Sequence, residues 1–201
     1  MKAWQAILGT ILFVYVLQMA IPGFTELFYF DSPLLRPWVF ITSCFLHGGI
    51  THLFFNCFAL LMFGPYLERE LGSKKFLILF LLAGIAGNIT YFATMALGII
   101  PPIPALGASG GIFGILGALA VIHPNMRILV LFVPMSIQTA AILWFVLELF
   151  GSFNTGSGIA SAAHLGGLLF GLVFGKYYKT KEKEAEVDPF AFELQENQDC
   201  F

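Results

Sequence analysis

Hydrophobic positions along this chain gather into six apolar segments, running approximately from Ala6 to Ile21, Thr51 to Leu67, Phe76 to Leu97, Ser109 to Ile122, Ile128 to Phe150 and Ile159 to Tyr178. Breaker chemistry separates them: Ile21-Pro22-Gly23, Leu71-Gly72-Ser73, Pro101-Pro102-Ile103-Pro104, His123-Pro124-Asn125 and the stretch Gly151 to Gly158. Each segment reads as a helix. The fourth is short, since its residues at about 1.5 Å each span roughly 21 Å against a hydrocarbon core of roughly 30 Å. With its lower end near His123-Pro124 at the cytoplasmic face, its upper end, Ser109, stops inside the membrane. The preceding Pro101 to Ala108 must then dip into protein, the setting that tolerates irregular backbone at that depth.

Composition decides that these segments are membrane helices. Of 201 residues 58% are hydrophobic and 11% charged, where a soluble domain carries roughly 25% charged residues; the mean hydropathy is +0.86. The fold class expected is an all-α polytopic membrane protein with six transmembrane helices, its short fourth helix starting at Ser109. The net charge of −2 says nothing about nucleic acid, but the basic patch such a partner needs is missing, so none is expected. Cys44, Cys57 and Cys200 have neither metal-ligand spacing nor a paired framework.

The positions of the charges set the orientation. Lys2, Arg69, Lys74, Lys75, Arg127, Lys176, Lys179, Lys181 and Lys183 all fall on one side of an alternating six-span path, leaving Arg36 alone opposite. By the positive-inside rule both termini are cytoplasmic, an arrangement that requires an even number of spans. Met19-Ala20-Ile21-Pro22 is a poor cleavage site, so the first segment is expected to be a retained helix rather than a signal peptide. Residues 1–180 form one membrane domain, and 181–201 a flexible, acidic cytoplasmic tail. The external loop from Pro22 to Gly48 is apolar around Leu34 to Phe45, and Arg36 and Trp38 suit a headgroup-level anchor in the outer leaflet.

Against this hydrocarbon background the polar residues are functional candidates. Ser109 lies in Leu106-Gly107-Ala108-Ser109-Gly110-Gly111 and His164 in Ala163-His164-Leu165-Gly166-Gly167. Together they supply the hydroxyl and imidazole of a Ser–His nucleophile. At a helix N-terminus the free N–H groups and the dipole would stabilise an oxyanion formed on attack by Ser109. Gly107 and Gly110 permit a tight turn and close approach of substrate. The bland reading stands beside this one: Gly110, Gly114 and Gly117, like Gly167, Gly171 and Gly175, also make small-residue seams for helix packing. His52 and Asn56 share one helix face and could donate two further hydrogen bonds to an oxyanion. His47 falls in the loop and reads as structural support. A metal held by histidines is the competing reading of this cluster, but no carboxylate lies near it in sequence and the spacing is not that of a zinc helix; no metal or cofactor is expected. Glu148, the one carboxylate within an apolar segment, reads as an interfacial or gate-loop partner, with a direct catalytic role the lesser reading.

Taken together, His52-x-x-x-Asn56 after Phe45-Leu46-His47, Gly107-Ala108-Ser109-Gly110, and Ala163-His164-x-x-Gly167-x-x-x-Gly171 resemble the rhomboid intramembrane serine protease family over about residues 1–180, as do Arg36-Pro37-Trp38 and Glu68 to Phe76. The resemblance implies Ser109 as nucleophile and His164 as general base, then acid. It places His52, Asn56 and the Ser109 backbone N–H in an oxyanion hole, and Phe113 against the histidine ring. It also implies a lateral gate at the fifth helix and a water-filled pocket open to the outside. The expected activity is endoproteolysis within the transmembrane segments of single-span or polytopic membrane proteins by a Ser–His dyad. The expected setting is a prokaryotic plasma membrane, with the active site opening outwards. The alternatives are a non-catalytic rhomboid-like protein that binds membrane clients, and a small transporter, which the lack of an inverted repeat of interrupted helices disfavours.

Overall fold

The computed structural model describes residues 1–31, 33–130, 132–152 and 160–187. Helix α1 (Ala3–Ala20) begins against the carboxylate of Glu68, which accepts hydrogen bonds from the Ala3 N–H (2.9 Å) and the Trp4 N–H (2.8 Å). Those donors belong to the first helical turn and have no partner within the helix. A carboxylate there also complements the positive end of the helix dipole. Ser73 Oγ–H donates to the same group (2.6 Å), and Glu68 is buried.

Helices α2 (Phe24–Phe28) and α3 (Val39–Thr42) and a 3-10 turn at Ser43–Phe45 organise the loop after α1. Arg36 pairs with Asp31 and donates to the Glu26 carbonyl (2.6 Å), while Leu34, Leu35 and Trp38 are exposed. An antiparallel bridge between Phe30 and Ala105 ties this loop to the strand-like approach to Ser109.

Helix α4 (Ile50–Ala96) is two helical arms joined at Gly72, whose φ of 75° and ψ of 161° interrupt the helix. Leu71-Gly72-Ser73 is the break expected from sequence, and the left-handed φ explains why glycine occupies its centre. Helices α1 and α4 are each long and apolar enough to cross a membrane. Helix α5 (Ser109–Ile122) starts and stops where its sequence pattern does, and nearly all of its residues are buried. It is the central helix, packed between the second arm of α4 and helix α7 (Ser161–Val187).

Small residues make that packing close. A Cβ added at Gly167 would strike the Gly110 carbonyl, and one at Gly171 the Gly114 carbonyl; one at Gly175 would lie 2.9 Å from the Ala118 carbonyl. The Gly167/Gly171/Gly175 stripe of α7 therefore faces the seam below Ser109, backbone against backbone.

One expectation needs correction. The fifth segment is not helical from Ile128: strands β1 (Arg127–Val130) and β2 (Val133–Ser136) form a hairpin, and α6 (Ile137–Gly151) begins only after it. The apolar run Ile128 to Val133 satisfies a strand as well as a helix by hydropathy. Pro134 cannot supply a helical N–H, and Ser136 caps α6 by accepting from the Thr139 N–H (3.1 Å). The chain is thus mostly helical, with one two-stranded hairpin among the described residues. At the other end α7 runs past Lys181 to Val187, through a stretch of Lys, Glu and Ala, all strong helix formers. Residues 181–187 of the expected tail thus continue α7, and residues 188–201 lie outside the described residues.

Candidate active site

Ser109 opens α5. The turn before it requires glycine: Gly107 has φ +135°, and its N–H donates to the Ser43 carbonyl (2.9 Å), which draws the approach under the loop. No side chain caps the helix start, so the first-turn N–H groups have no intrahelical acceptor and point towards the serine end.

Three further side chains meet there. His164, in the first turn of α7, places Nε2 2.7 Å from Ser109 Oγ. Its Nδ1 lies 2.9 Å from Glu148 Oε1 on α6. Its ring stacks on Phe113, one turn below Ser109, with centroids 4.5 Å apart and planes within 8°. The result is a continuous hydroxyl–imidazole–carboxylate chain, with the His164 and Glu148 side chains only 11% and 16% exposed. A hydroxyl hydrogen-bonded to a neutral imidazole is the arrangement by which a serine oxygen loses its proton as it attacks a carbonyl.

His52 stands across the turn. Its Nδ1 accepts from the Gly48 N–H (3.4 Å), which leaves the proton on Nε2. That Nε2 faces the space over Gly107: a methyl group there would lie 2.9 Å from His52 Nε2 and 3.5 Å from Ser109 Oγ. A donor, the serine oxygen and the uncapped helix start thus surround one small volume, kept open by the missing Cβ of Gly107. Gly110 packs beside Gly84 and the Ala163 carbonyl, where an added Cβ would make ordinary contacts of 3.5–3.8 Å.

Asn56 lies one helical turn after His52. It is buried, and its Nδ2 donates to the His52 carbonyl one turn back (3.0 Å), so its hydrogen bonding leads to the histidine rather than to Ser109. His47 is buried with its ring 5.1 Å from that of His52. Burial, with the neighbouring His52 imidazole adding to it, pushes His47 down to about 4, so it is neutral at pH 7. Its backbone is held by Gln18, which accepts from the His47 N–H (2.9 Å) and donates to its carbonyl (3.1 Å).

Sequence reasoning missed Gln18 here and left Glu148 without a partner. Gln18 is an ordinary polar residue near a helix end and carries no signal. Glu148 did carry one, as the sole carboxylate in an apolar segment, where a charge needs a partner. Its contact with His164 favours the lesser of the two readings, a direct role at the site, over an interfacial or gate-loop group.

A mostly helical chain with membrane-spanning helices, and a serine–imidazole pair at the buried start of its central helix, describes an integral membrane protein of a recognisable class. The chain belongs to the rhomboid family, whose domain model matches residues 35–181. It is 40% identical over 134 residues, 67% of this chain and 24% of the relative, to Rhomboid protease GluP of Bacillus subtilis. It is 34% identical over 158 residues, 73% of this chain and 43% of the relative, to the mitochondrial Rhomboid protein 1 of Saccharomyces cerevisiae. The mitochondrial Presenilin-associated rhomboid-like protein of Homo sapiens is 32% identical over 143 residues, 68% of this chain and 37% of the relative. The chain spans less than half the length of each of these relatives.

Proposed function

We propose that this protein is an intramembrane serine endopeptidase that cuts transmembrane segments of other membrane proteins. The observation that carries the reading is the 2.7 Å contact between Ser109 Oγ and His164 Nε2 at an uncapped, buried helix start. Ser109 Oγ attacks the scissile carbonyl carbon while its proton passes to His164 Nε2. The oxyanion is held by the N–H groups at the start of α5 and by His52 Nε2–H, with Asn56 fixing the His52 turn. The tetrahedral intermediate collapses as the C–N bond breaks, and His164 returns the proton to the leaving amine. Water, deprotonated by the same imidazole, then releases the acyl group from Ser109.

The substrates are helices that unwind locally, because a scissile carbonyl inside an intact helix is already hydrogen-bonded. The narrow space over Gly107 favours a small residue beside the cut. In this reading α1, the two arms of α4, and α5, α6 and α7 make the six membrane crossings. The basic residues then set both termini in the cytoplasm and the Ser109 end outwards, in a prokaryotic plasma membrane.

The test is incubation of the purified protein in detergent or liposomes with a single-span substrate. Cleavage is expected from the native protein and is abolished in Ser109→Ala and in His164→Ala, with labelling by a serine-reactive phosphonate probe lost in Ser109→Ala. Undiminished cleavage in either variant overturns the pair.

A further inference from the structure

We infer that Glu148 is a positioning residue that turns the Ser109–His164 pair into a serine–histidine–glutamate triad. This rests on the protease reading above but concerns a different requirement, the state of the base before any substrate arrives.

To accept the Ser109 proton, His164 Nε2 must present a lone pair. In the neutral ring the proton then sits on Nδ1. That N–H is in a largely enclosed site, where an unmatched donor is costly. Phe113 meets the flat face of the ring, 4.5 Å away and nearly parallel. Stacking fixes the plane of an imidazole but neither its rotation within that plane nor the nitrogen that carries hydrogen. Glu148 Oε1, 2.9 Å from Nδ1, does both. Once the serine proton has moved, the same carboxylate faces an imidazolium and balances its charge.

The carboxylate is itself oriented. Ser161, at the start of α7, hydrogen-bonds to Glu148. A Cβ on Gly151 would lie 2.6 Å from Ser161 Oγ and 3.8 Å from Glu148 Oε2, so the missing side chain at Gly151 makes room for this contact. Helix α6 has buried residues only near its start, at Ile137, Ala140 and Ala141. Its later half presents Val146, Leu147, Leu149 and Phe150 outwards. Glu148 is therefore the polar tie from that half of α6 to the base, beside the edge-on packing of Trp144 on Phe113.

The experiment compares Glu148→Leu and the near-isosteric Glu148→Gln with the native protein by kcat, KM and nitrogen NMR of the imidazoles, with the His164 signals assigned through His164→Ala. The native ring is expected as a single Nδ1–H tautomer with a strongly hydrogen-bonded proton. Glu148→Leu should lose that proton signal and about 100-fold or more in kcat with little change in KM, the pattern of a base left in the wrong tautomer. Glu148→Gln keeps a neutral acceptor, so it should keep the tautomer, shift the proton signal upfield and lose about tenfold in kcat. Either variant, folded, with native kcat and an unmoved Nδ1 proton overturns the assignment. The spectrum is read without turnover, so a chain that fails to cleave at all would refute the protease reading while the tautomer still decides the role of Glu148.

Discussion

Gly107 combines a backbone requirement with a chemical one. At φ +135° any other residue is strained by roughly 1–3 kcal/mol. An alanine Cβ would also lie 2.8 Å from His52 Cε1 and 2.9 Å from Nε2, in the space where an oxyanion would sit. Gly107→Ala should lower both the thermal midpoint and kcat/KM, the latter by about 10–100-fold, as expected when a donor is displaced by about 1 Å. A variant with native kinetics would show that the volume over Gly107 is not used. The glycine, the serine and both histidines were legible in sequence because polar groups in hydrocarbon stand out. Glu148 stood out equally, yet its partner did not, because it lies sixteen residues from His164 on a different helix. Rotation of α6 about its own axis decides which group the carboxylate meets, and sequence periodicity does not determine that rotation relative to α7.

The elements are coupled at their ends. Glu68, near the end of the first arm of α4, caps α1 from a distance of more than sixty residues in sequence. Burial pushes its carboxyl up, but the hydrogen bonds from Ser73 and from the Trp4 and Ala3 N–H groups, with Lys2 nearby, outweigh it and hold the group below its ordinary value of 4.5. A depressed carboxyl contributes stability that is present above its unfolded-state value and lost as pH falls through the folded one. Glu68→Ala should therefore destabilise the protein at neutral pH by roughly 0.5–2 kcal/mol, the range for losing a helix cap. The difference from the native protein should shrink below about pH 4.5. Thermal unfolding of both proteins across this range checks it; a difference independent of pH would mean that packing, not charge, carries the contribution. The hairpin at 127–136 was not legible, because one apolar run serves a strand and a helix equally. Pro134 and the Ser136 cap resolve the choice locally.

At the scale of the whole molecule, the site depends on backbone-to-backbone contact between α5 and α7. Gly171→Val would drive a branched side chain into the Gly114 carbonyl, and rigid backbone has little room to yield. It should cost about 1–3 kcal/mol of stability and lower activity by moving His164 relative to Ser109, although position 171 lies two turns from the site. Unfolding in detergent alongside the cleavage assay measures both; an unchanged midpoint would contradict the packing described. By itself the sequence determined the apolar segments, the elbow at Gly72, the limits of α5 and the polar residues able to carry chemistry, because each depends on local composition or on one backbone angle. The tertiary structure alone decided which polar groups meet: Glu148 on His164, Asn56 on the His52 carbonyl, Glu68 on α1. Those pairings depend on the rotation and close approach of helices far apart in the chain, and side-chain packing across several helices sets both at once.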